Sequence, residues 1–496
     1  MNLTKLGLKI RCISSRRFFG TRRRKYPVDP EEANKLPVFQ YNVSKKGYRR
    51  VFTWGNIYTG ALGIPYMKSS DDLEKQDCLK YPKRVRIGET FEVTTAACGF
   101  GFSIFAVKSE TDEKLYGTGI NTDSQIGYHE VRQGKPLEIL FQPKPIHLPF
   151  KNPRESKVIK VSAGRAHTAI LTNEGIFLLG NNAYGQCGRS IISDENYIMS
   201  NYVNHIEKIN GKTIIDIECG QDHSLALTED GAVFSCGWGA DGQTGLGHFD
   251  NWAEFSRVKG DIESEKITEL TCRSDFVLAL NEKGEVFGWG NTEYSQMTEA
   301  NEDQQISTPR HIKMLDQLGK IKSIATAGSF CIVVNDDGNV FSWGYGLLGA
   351  GPEAQQSKVP IHIPSTLFGK NHFQVDSKVV KVKCGLYNAA AITNFGDLYM
   401  WGRNKYGCLG LGNEKDHDED MKELLELIEV PKTNAYFEEV VPQFSDEQYI
   451  EHFLLTREMT EELANRYANS DYYKWQEGDS EKVTPRHSML GDLPLV

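Results

Sequence analysis

Seven times this chain writes a short apolar run that closes on a glycine, and the copies return at a near-constant interval. The runs are Val51-Phe52-Thr53-Trp54-Gly55, Lys114 to Gly119, Ile176 to Gly180, Val233 to Gly239, Val286 to Gly290, Val340-Phe341-Ser342-Trp343-Gly344 and Leu398 to Gly402. Their closing glycines lie 51 to 64 residues apart. A period of that length, carried by strand-like units, marks a repeat architecture. It makes most glycines and histidines structural by default.

A second unit recurs between these runs. Its copies are Ala97-Cys98-Gly99, Ser162 to His167, Glu218 to His223, Thr271-Cys272-Arg273, Thr326-Ala327-Gly328 and Lys383-Cys384-Gly385. Each precedes a small apolar strand such as Thr168 to Thr172 or Ser224 to Thr228, then a turn that ends on glycine: Gly175, Gly231, Gly284, Gly338 or Gly396. Glycine accepts a positive φ without a Cβ clash, so these turns read as hairpins. Each period yields strand, turn, strand, a variable loop and a further strand. Four short antiparallel strands repeated radially make a propeller blade. The expected fold is all-β, a seven-bladed β-propeller over residues 48–412. Trp238, Trp289, Trp343 and Trp401 are expected at one repeat position, as core residues.

Four cysteines (Cys98, Cys219, Cys272, Cys384) share one repeat position, which alanine fills in two other copies. That interchange predicts small buried hydrophobes with reduced thiols, not disulfides. No CxxC pair or metal-ligand spacing with histidine occurs. No run approaches the ~18 apolar residues of a membrane-spanning helix.

The first 28 residues hold nine Lys or Arg and no acid, with Leu3, Leu6, Leu8 and Ile10 among them. An Arg- and Ser-rich, acid-free, amphipathic start predicts a mitochondrial transit peptide, cut near Gly20. The alternative is a basic nucleic-acid arm or nuclear signal at Arg22-Arg23-Arg24-Lys25. Without those nine charges the formal net charge of −9 becomes −18. Such a body repels phosphate backbones on average. RNA contact is therefore expected only indirectly or through a local patch.

Residues 29–47 read as a linker and 413–496 as an acidic tail. Ser445 with Gln448, and Thr460 with Glu461 and Glu462, look like helix starts, so a short helical C-terminal extension is expected. Only six of the second units stand between seven of the first. Either Ala435 to Phe444 supplies closing strands in degenerate form, or the last blade is incomplete.

Gly237-Trp238-Gly239-Ala240-Asp241-Gly242 fits GxGxxG, but no helix start follows, which argues against a dinucleotide site. No hydrolase constellation or cofactor motif is recognisable, so no covalent chemistry and no cofactor or metal are expected.

The runs Trp238-Gly239-Ala240-Asp241-Gly242-Gln243-Thr244-Gly245-Leu246-Gly247, Asn182 to Gly188 and Asn404 to Gly410 resemble the regulator of chromosome condensation repeat family. The stretches Gly60 to Gly63, Asn121 to Gly127, Gly180 to Arg189 and Thr366 to Gly369 are similar to its mitochondrial branch. The resemblance implies a binding scaffold whose face engages partners. By motif match, Asp222 and His223 would contact the partner, with Arg165 and His167 from the preceding repeat. It further implies two roles. One is guanine-nucleotide exchange on a dynamin-like fusion GTPase, with peripheral inner-membrane association. The other is membership of a 16S rRNA pseudouridine-synthase module that supports large mitoribosomal subunit assembly. A generic interaction propeller, or an exchange factor for another small GTPase, is the alternative.

Overall fold

The computed structural model describes residues 50–64, 78–297, 304–351, 354–371 and 374–414. All of them fall within one compact unit, Ser44–Tyr436. The transit-peptide, linker and C-terminal helix expectations lie outside the described residues.

Six radial sheets hold most of the described strands. In blade 1, strands a to d are Val93–Cys98, Phe102–Val107, Leu115–Ile120 and Ile139–Pro145. Blade 2 has Val158–Ala163, His167–Thr172, Gly175–Gly180 and Asn204–Ile206, and blade 3 has Ile214–Cys219, His223–Thr228, Val233–Gly237 and Trp252–Arg257. Blade 4 has Ile267–Cys272, Phe276–Asn281, Val286–Asn291 and Gln305–His311. Blade 5 has Ile321–Thr326, Phe330–Asn335, Val340–Tyr345 and Gln356–Ile363. Among the described residues blade 6 has three strands: Val379–Cys384, Asn388–Thr393 and Leu398–Gly402. Within each blade the strands pair antiparallel in sequence order.

The seven-bladed expectation is corrected to a six-bladed propeller. Counting aromatic-glycine strands overcounts blades. The first of them, Phe52–Asn56, pairs among the described residues only with Cys78–Arg84, in a two-stranded sheet. That sheet rests on blade 6, where the Trp54 indole Nε1 donates to the Cys408 carbonyl at 2.8 Å.

Strand b is buried along its whole length in blades 1 to 5. A blade is covered on both faces by its neighbours, so its central strands read as continuous apolar runs rather than alternating ones. Removing such side chains from water is what holds the ring together. One core cluster runs from Leu225 in blade 3 through Trp289 in blade 4 to Trp343 in blade 5. Blade 6 differs. Its strand b alternates between half-buried or exposed positions and buried ones, and strand c is exposed at Leu398.

Register corrects two further expectations. The residue that pairs with the start of strand b is Gly180, Gly237, Gly290, Gly344 or Gly402. In blade 3 that is Gly237, not Gly239. Cys236 therefore takes the slot of Trp289, Trp343 and Trp401, and Trp238 lies beyond the strand, half-buried, edge-on to Tyr184 at 4.4 Å. Likewise Thr326, not Ala327, is the counterpart of the cysteines, because it pairs with Cys331 as Cys272 pairs with Val277. Cys219 and Cys272 are buried as expected, but Cys384 is half-buried and Cys98 is exposed. The nine cysteines of the described residues are free thiols.

Candidate functional site: the turn face

The turns between strands a and b meet around one mouth of the shaft. In blades 1, 2, 3, 5 and 6 the turn begins by folding an amide back onto strand b: Gly164 N donates to the His167 carbonyl, and Gly220 N to that of His223, both at 3.0 Å. Neighbouring turns are then tied to each other. Phe100 N donates to Gly164 O, Arg165 N to Gln221 O and Gln221 N to Ser274 O, at 3.3, 2.8 and 3.2 Å. Gly328 N reaches Leu386 O at 3.4 Å. Among the described residues no such bond joins the blade 4 turn to the blade 5 turn.

The glycine at the head of the turn has a steric reason. A Cβ at Gly220 would stand 1.9 Å from Cε1 of His223, and one at Gly164 would stand 2.3 Å from Cε1 of His167. The imidazoles pack against the glycines and are buried. His167 Nε2 meets the Ser224 hydroxyl at 3.0 Å. Neither ring nitrogen of His223 has a hydrogen-bond partner among the described residues. Burial lowers the pKa of His167 to about 4 and that of His223 to about 3, so both rings are neutral at physiological pH. Positions equivalent to these histidines hold Phe102, Phe276, Phe330 and Asn388. The rings thus fill the space that phenylalanine fills elsewhere.

The four residues singled out by motif are close neighbours. Arg165 grips Asp222 across the blade 2–blade 3 junction with two bonds, Nε to Oδ1 at 3.1 Å and Nη2 to Oδ2 at 2.8 Å. The Asp222 side chain is 8% exposed and that of Arg165 is 47% exposed. Burial raises the Asp222 pKa against the opposing pull of Arg165. Of the four, Arg165 is the side chain that presents substantial surface.

The loops between strands c and d rise on the same face. In blades 1 to 4 a buried glutamine pins the loop: Gln125, Gln186, Gln243 and Gln296 each accept, through Oε1, the amide two residues before, at 2.9 to 3.0 Å. Blade 5 carries the short sequence Gly346-Leu347-Leu348-Gly349 there, with no glutamine. A cavity of about 680 Å³ opens over blades 4, 5 and 6. Asp275, Tyr294, Tyr345, Tyr387 and Arg403 are among its walls. Sequence reasoning missed all five. The available signal was positional: Asp275 immediately precedes strand b of blade 4, as Asp222 does in blade 3.

Among the described residues no helix is long and apolar enough to cross a membrane, and no group of three or more His, Cys, Asp or Glu could hold a metal.

A ring of such blades defines a β-propeller. The Regulator of chromosome condensation (RCC1) repeat matches residues 50–106, 173–227, 283–334, 337–392 and 396–441, and a second form of it matches 214–243 and 379–408. The chain is 42% identical over 392 residues to the RCC1-like G exchanging factor-like protein of Mus musculus, covering 77% of this chain and 84% of that protein. The Homo sapiens counterpart is 41% identical over the same coverage. The crystal structure of human WBSCR16 superposes with a TM-score of 0.71 at 40% identity, over 75% of this chain and 94% of that one. Yeast RCC1 (Prp20), crystallised with Kap60, shares the fold, with a TM-score of 0.54 at 19% identity over 68% of this chain and 75% of that one. The chain belongs to the RCC1 repeat family, with exchange-factor-like proteins among its relatives.

Proposed function

We propose that this chain is a mitochondrial binding scaffold whose turn face engages a dynamin-like fusion GTPase and promotes its guanine-nucleotide exchange. The observation that carries the reading is the similarity to RCC1-like G exchanging factor-like proteins over 84% of their length. Exchange needs no covalent chemistry. A scaffold that binds the nucleotide-free GTPase more tightly than the loaded one weakens nucleotide binding by the same factor, because the two equilibria are linked. A rigid ring suits this, since partner side chains must be held in place rather than turned over. The half-exposed Arg165, anchored through Asp222, offers one fixed contact on that face. The overall negative charge favours a protein partner over an RNA backbone.

The test is release of a fluorescent GDP from the purified GTPase with and without the chain. Faster release that Arg165→Ala weakens supports the proposal. Unchanged release, with proximity labelling in intact mitochondria that recovers pseudouridine synthases and ribosome-assembly proteins instead, would overturn it. The address is tested separately. Residues 1–30 fused to a fluorescent protein should enter mitochondria, and a cytosolic or nuclear fusion would sink the mitochondrial assignment.

A further inference from the structure

Asp222 and Asp275 occupy the same place in consecutive blades, each the last residue before strand b. Their surroundings differ in one respect. Asp222 receives the guanidinium of Arg165, which stands second in the turn of the blade before. The residue at that place one blade on is Gln221. Asp275 is therefore left with neutral donors: the Gln243 side-chain amide at 2.9 Å on Oδ1 and the Ser274 hydroxyl at 3.3 Å on Oδ2. Two donors do not exhaust a carboxylate, which has about four acceptor positions. The charges acting on it are those of Asp241 and Asp222, both of its own sign, and among the described residues no cation pairs with it. Burial and those charges raise its pKa to about 6.

Asp275 also faces open space, as Asp222 does not. It lines the 680 Å³ cavity together with Glu293 and the rings of Tyr294 and Tyr345. The two rings stack at 5.9 Å between centroids, inclined by 24°. Tyr345 is 49% exposed and Tyr294 38%, so the pair forms an accessible aromatic wall beside a carboxylate that lacks a counterion. The same surface shows how an arginine sits on tyrosine: the guanidinium of Arg403, also on the cavity wall, lies over the Tyr387 ring at 4.7 Å.

We infer that this cavity is a receptor for an arginine side chain of a protein partner, with its guanidinium on Asp275 and its stem along the Tyr294–Tyr345 wall. The blade 2–blade 3 junction supplies the template, a forked guanidinium on the equivalent carboxylate. Arginine suits the site better than lysine. Its planar fork matches a carboxylate with two parallel bonds and lies flat on aromatic faces, whereas an ammonium is a point charge that cannot form the paired bonds. Arg403 disfavours a second cation on its own side of the cavity, and its donors suit the carbonyl oxygens of the incoming backbone. The inference does not require the partner to be a GTPase.

The test uses the full chain and three acetylated, amidated pentapeptides, Gly-Gly-X-Gly-Gly with X as arginine, lysine or citrulline, followed by ligand-observed magnetic resonance. The arginine peptide should bind, the lysine peptide less well and the citrulline peptide not measurably. Asp275→Asn preserves shape and should weaken arginine-peptide binding roughly tenfold or more, as expected for a lost charge-assisted pair. Gln221→Arg should block the cavity by supplying the guanidinium from within. A cooperative melt at or above the wild-type temperature qualifies each variant. If Gln221→Arg does not fold, Asp275→Asn carries the test alone. Absent binding of the arginine peptide at several millimolar, equal binding of the citrulline peptide, or undiminished binding by a folded variant would each overturn the assignment.

Discussion

The junction between blades 2 and 3 and the junction between blades 4 and 5 must satisfy the same buried carbonyl, and they do it with different residues. At the first, the Gln186 carbonyl accepts the hydroxyl of Ser224, on strand b, at 2.7 Å. At the second, the Gln296 carbonyl accepts the indole Nε1 of Trp343, on strand c, at 2.8 Å. The blade 1–blade 2 junction follows the first pattern, with Thr168 on Gln125, and blade 3–blade 4 follows the second, with Trp289 on Gln243. A buried acceptor needs a donor, and either side chain supplies one. The consequences for packing diverge. Where strand b carries the hydroxyl, the tryptophan slot holds Leu179 or Cys236; where it does not, an indole fills the junction. The hydroxyl half of the ring also has its turn-face aspartate neutralised by Arg165. The indole half leaves Asp275 facing a cavity. One scaffold thus carries a closed sector and an open one.

The largest difference should appear on truncation. Trp343 is fully buried, and its loss removes both a large apolar area and the donor to Gln296. Trp343→Ala should cost about 3–5 kcal/mol. Cys236→Ala, at the equivalent slot of the closed sector, should cost about 1 kcal/mol, since only a small group is lost. Chemical denaturation of the two variants measures both. Equal losses would mean that the two sectors do not differ in how their junctions are packed.

That contrast marks where the sequence was readable. The period, the hairpin glycines and the all-β class are local signals, and each follows from backbone chemistry in a few residues. The blade count is not local. Phe52–Asn56 carries the full aromatic-glycine signal, but whether it founds a blade depends on partners hundreds of residues away. Trp238 misled for a related reason: two glycines, Gly237 and Gly239, flank it, and only strand pairing shows which one closes the strand. At the site, Gly164 and Gly220 with their histidines were legible as a motif, and so was the neighbourhood of Arg165 and Asp222. Their roles were not, because burial decides that a histidine is a filler and that an arginine stays at the surface. Asp275 was hidden because Arg273 replaces the glycine that heads the turn in blades 1, 2, 3 and 6.

Acid should separate the sectors next. His167 and His223 are neutral when folded and titrate near 6.5 when unfolded, so the unfolded state binds more protons below that pH. Each depressed pKa therefore contributes stability that is present above about pH 6.5 and lost as the pH falls toward 4. The slope is at most about 1.4 kcal/mol per pH unit per histidine. Asp275 acts with the opposite sign. Its folded pKa of about 6 lies above the ordinary aspartate value of 3.8, so its penalty on the fold grows as pH rises from about 4 to 6. Asp275→Asn should thus steepen acid destabilisation, and His167→Phe, which copies the residue used in other blades, should flatten it. Denaturation midpoints at pH 7, 6 and 5 decide the matter. A wild-type curve flat over that range would contradict the buried, neutral histidines.

Hydroxyl and guanidinium deletions in the closed sector come third. Ser224→Ala leaves the Gln186 carbonyl without its 2.7 Å donor, and Arg165→Ala leaves Asp222 buried without its counterion. A buried polar group stripped of its partner costs about 1–3 kcal/mol. Both values should sit at the lower end, because Cys236 Sγ lies 3.8 Å from the same carbonyl and Arg165 is half in solvent. Urea titration of the two variants checks this. A loss below the error of the measurement in both would show that the closed sector is closed by packing alone.

The smallest expected effect is the most informative about the open sector. Gln221→Arg writes the Arg165 solution one blade further on, toward a carboxylate that no described cation pairs with. If Asp275 presents its oxygens as Asp222 does, the new guanidinium should pair with it, pull its pKa down from about 6 and remove its penalty at neutral pH. Asp241 and Asp222, the like charges nearby, would gain from the same cation. The pair would be partly exposed, as Arg165 is, so solvent should screen it to about 0.5–1 kcal/mol of added stability at pH 7. Combining the change with Asp275→Asn should erase the gain, a double-mutant cycle that isolates the pair from any effect of the arginine elsewhere. A gain that survives in the double variant would place the arginine on another acid, and a destabilised Gln221→Arg would mean that the open sector differs from the closed one in backbone geometry and not only in the missing cation.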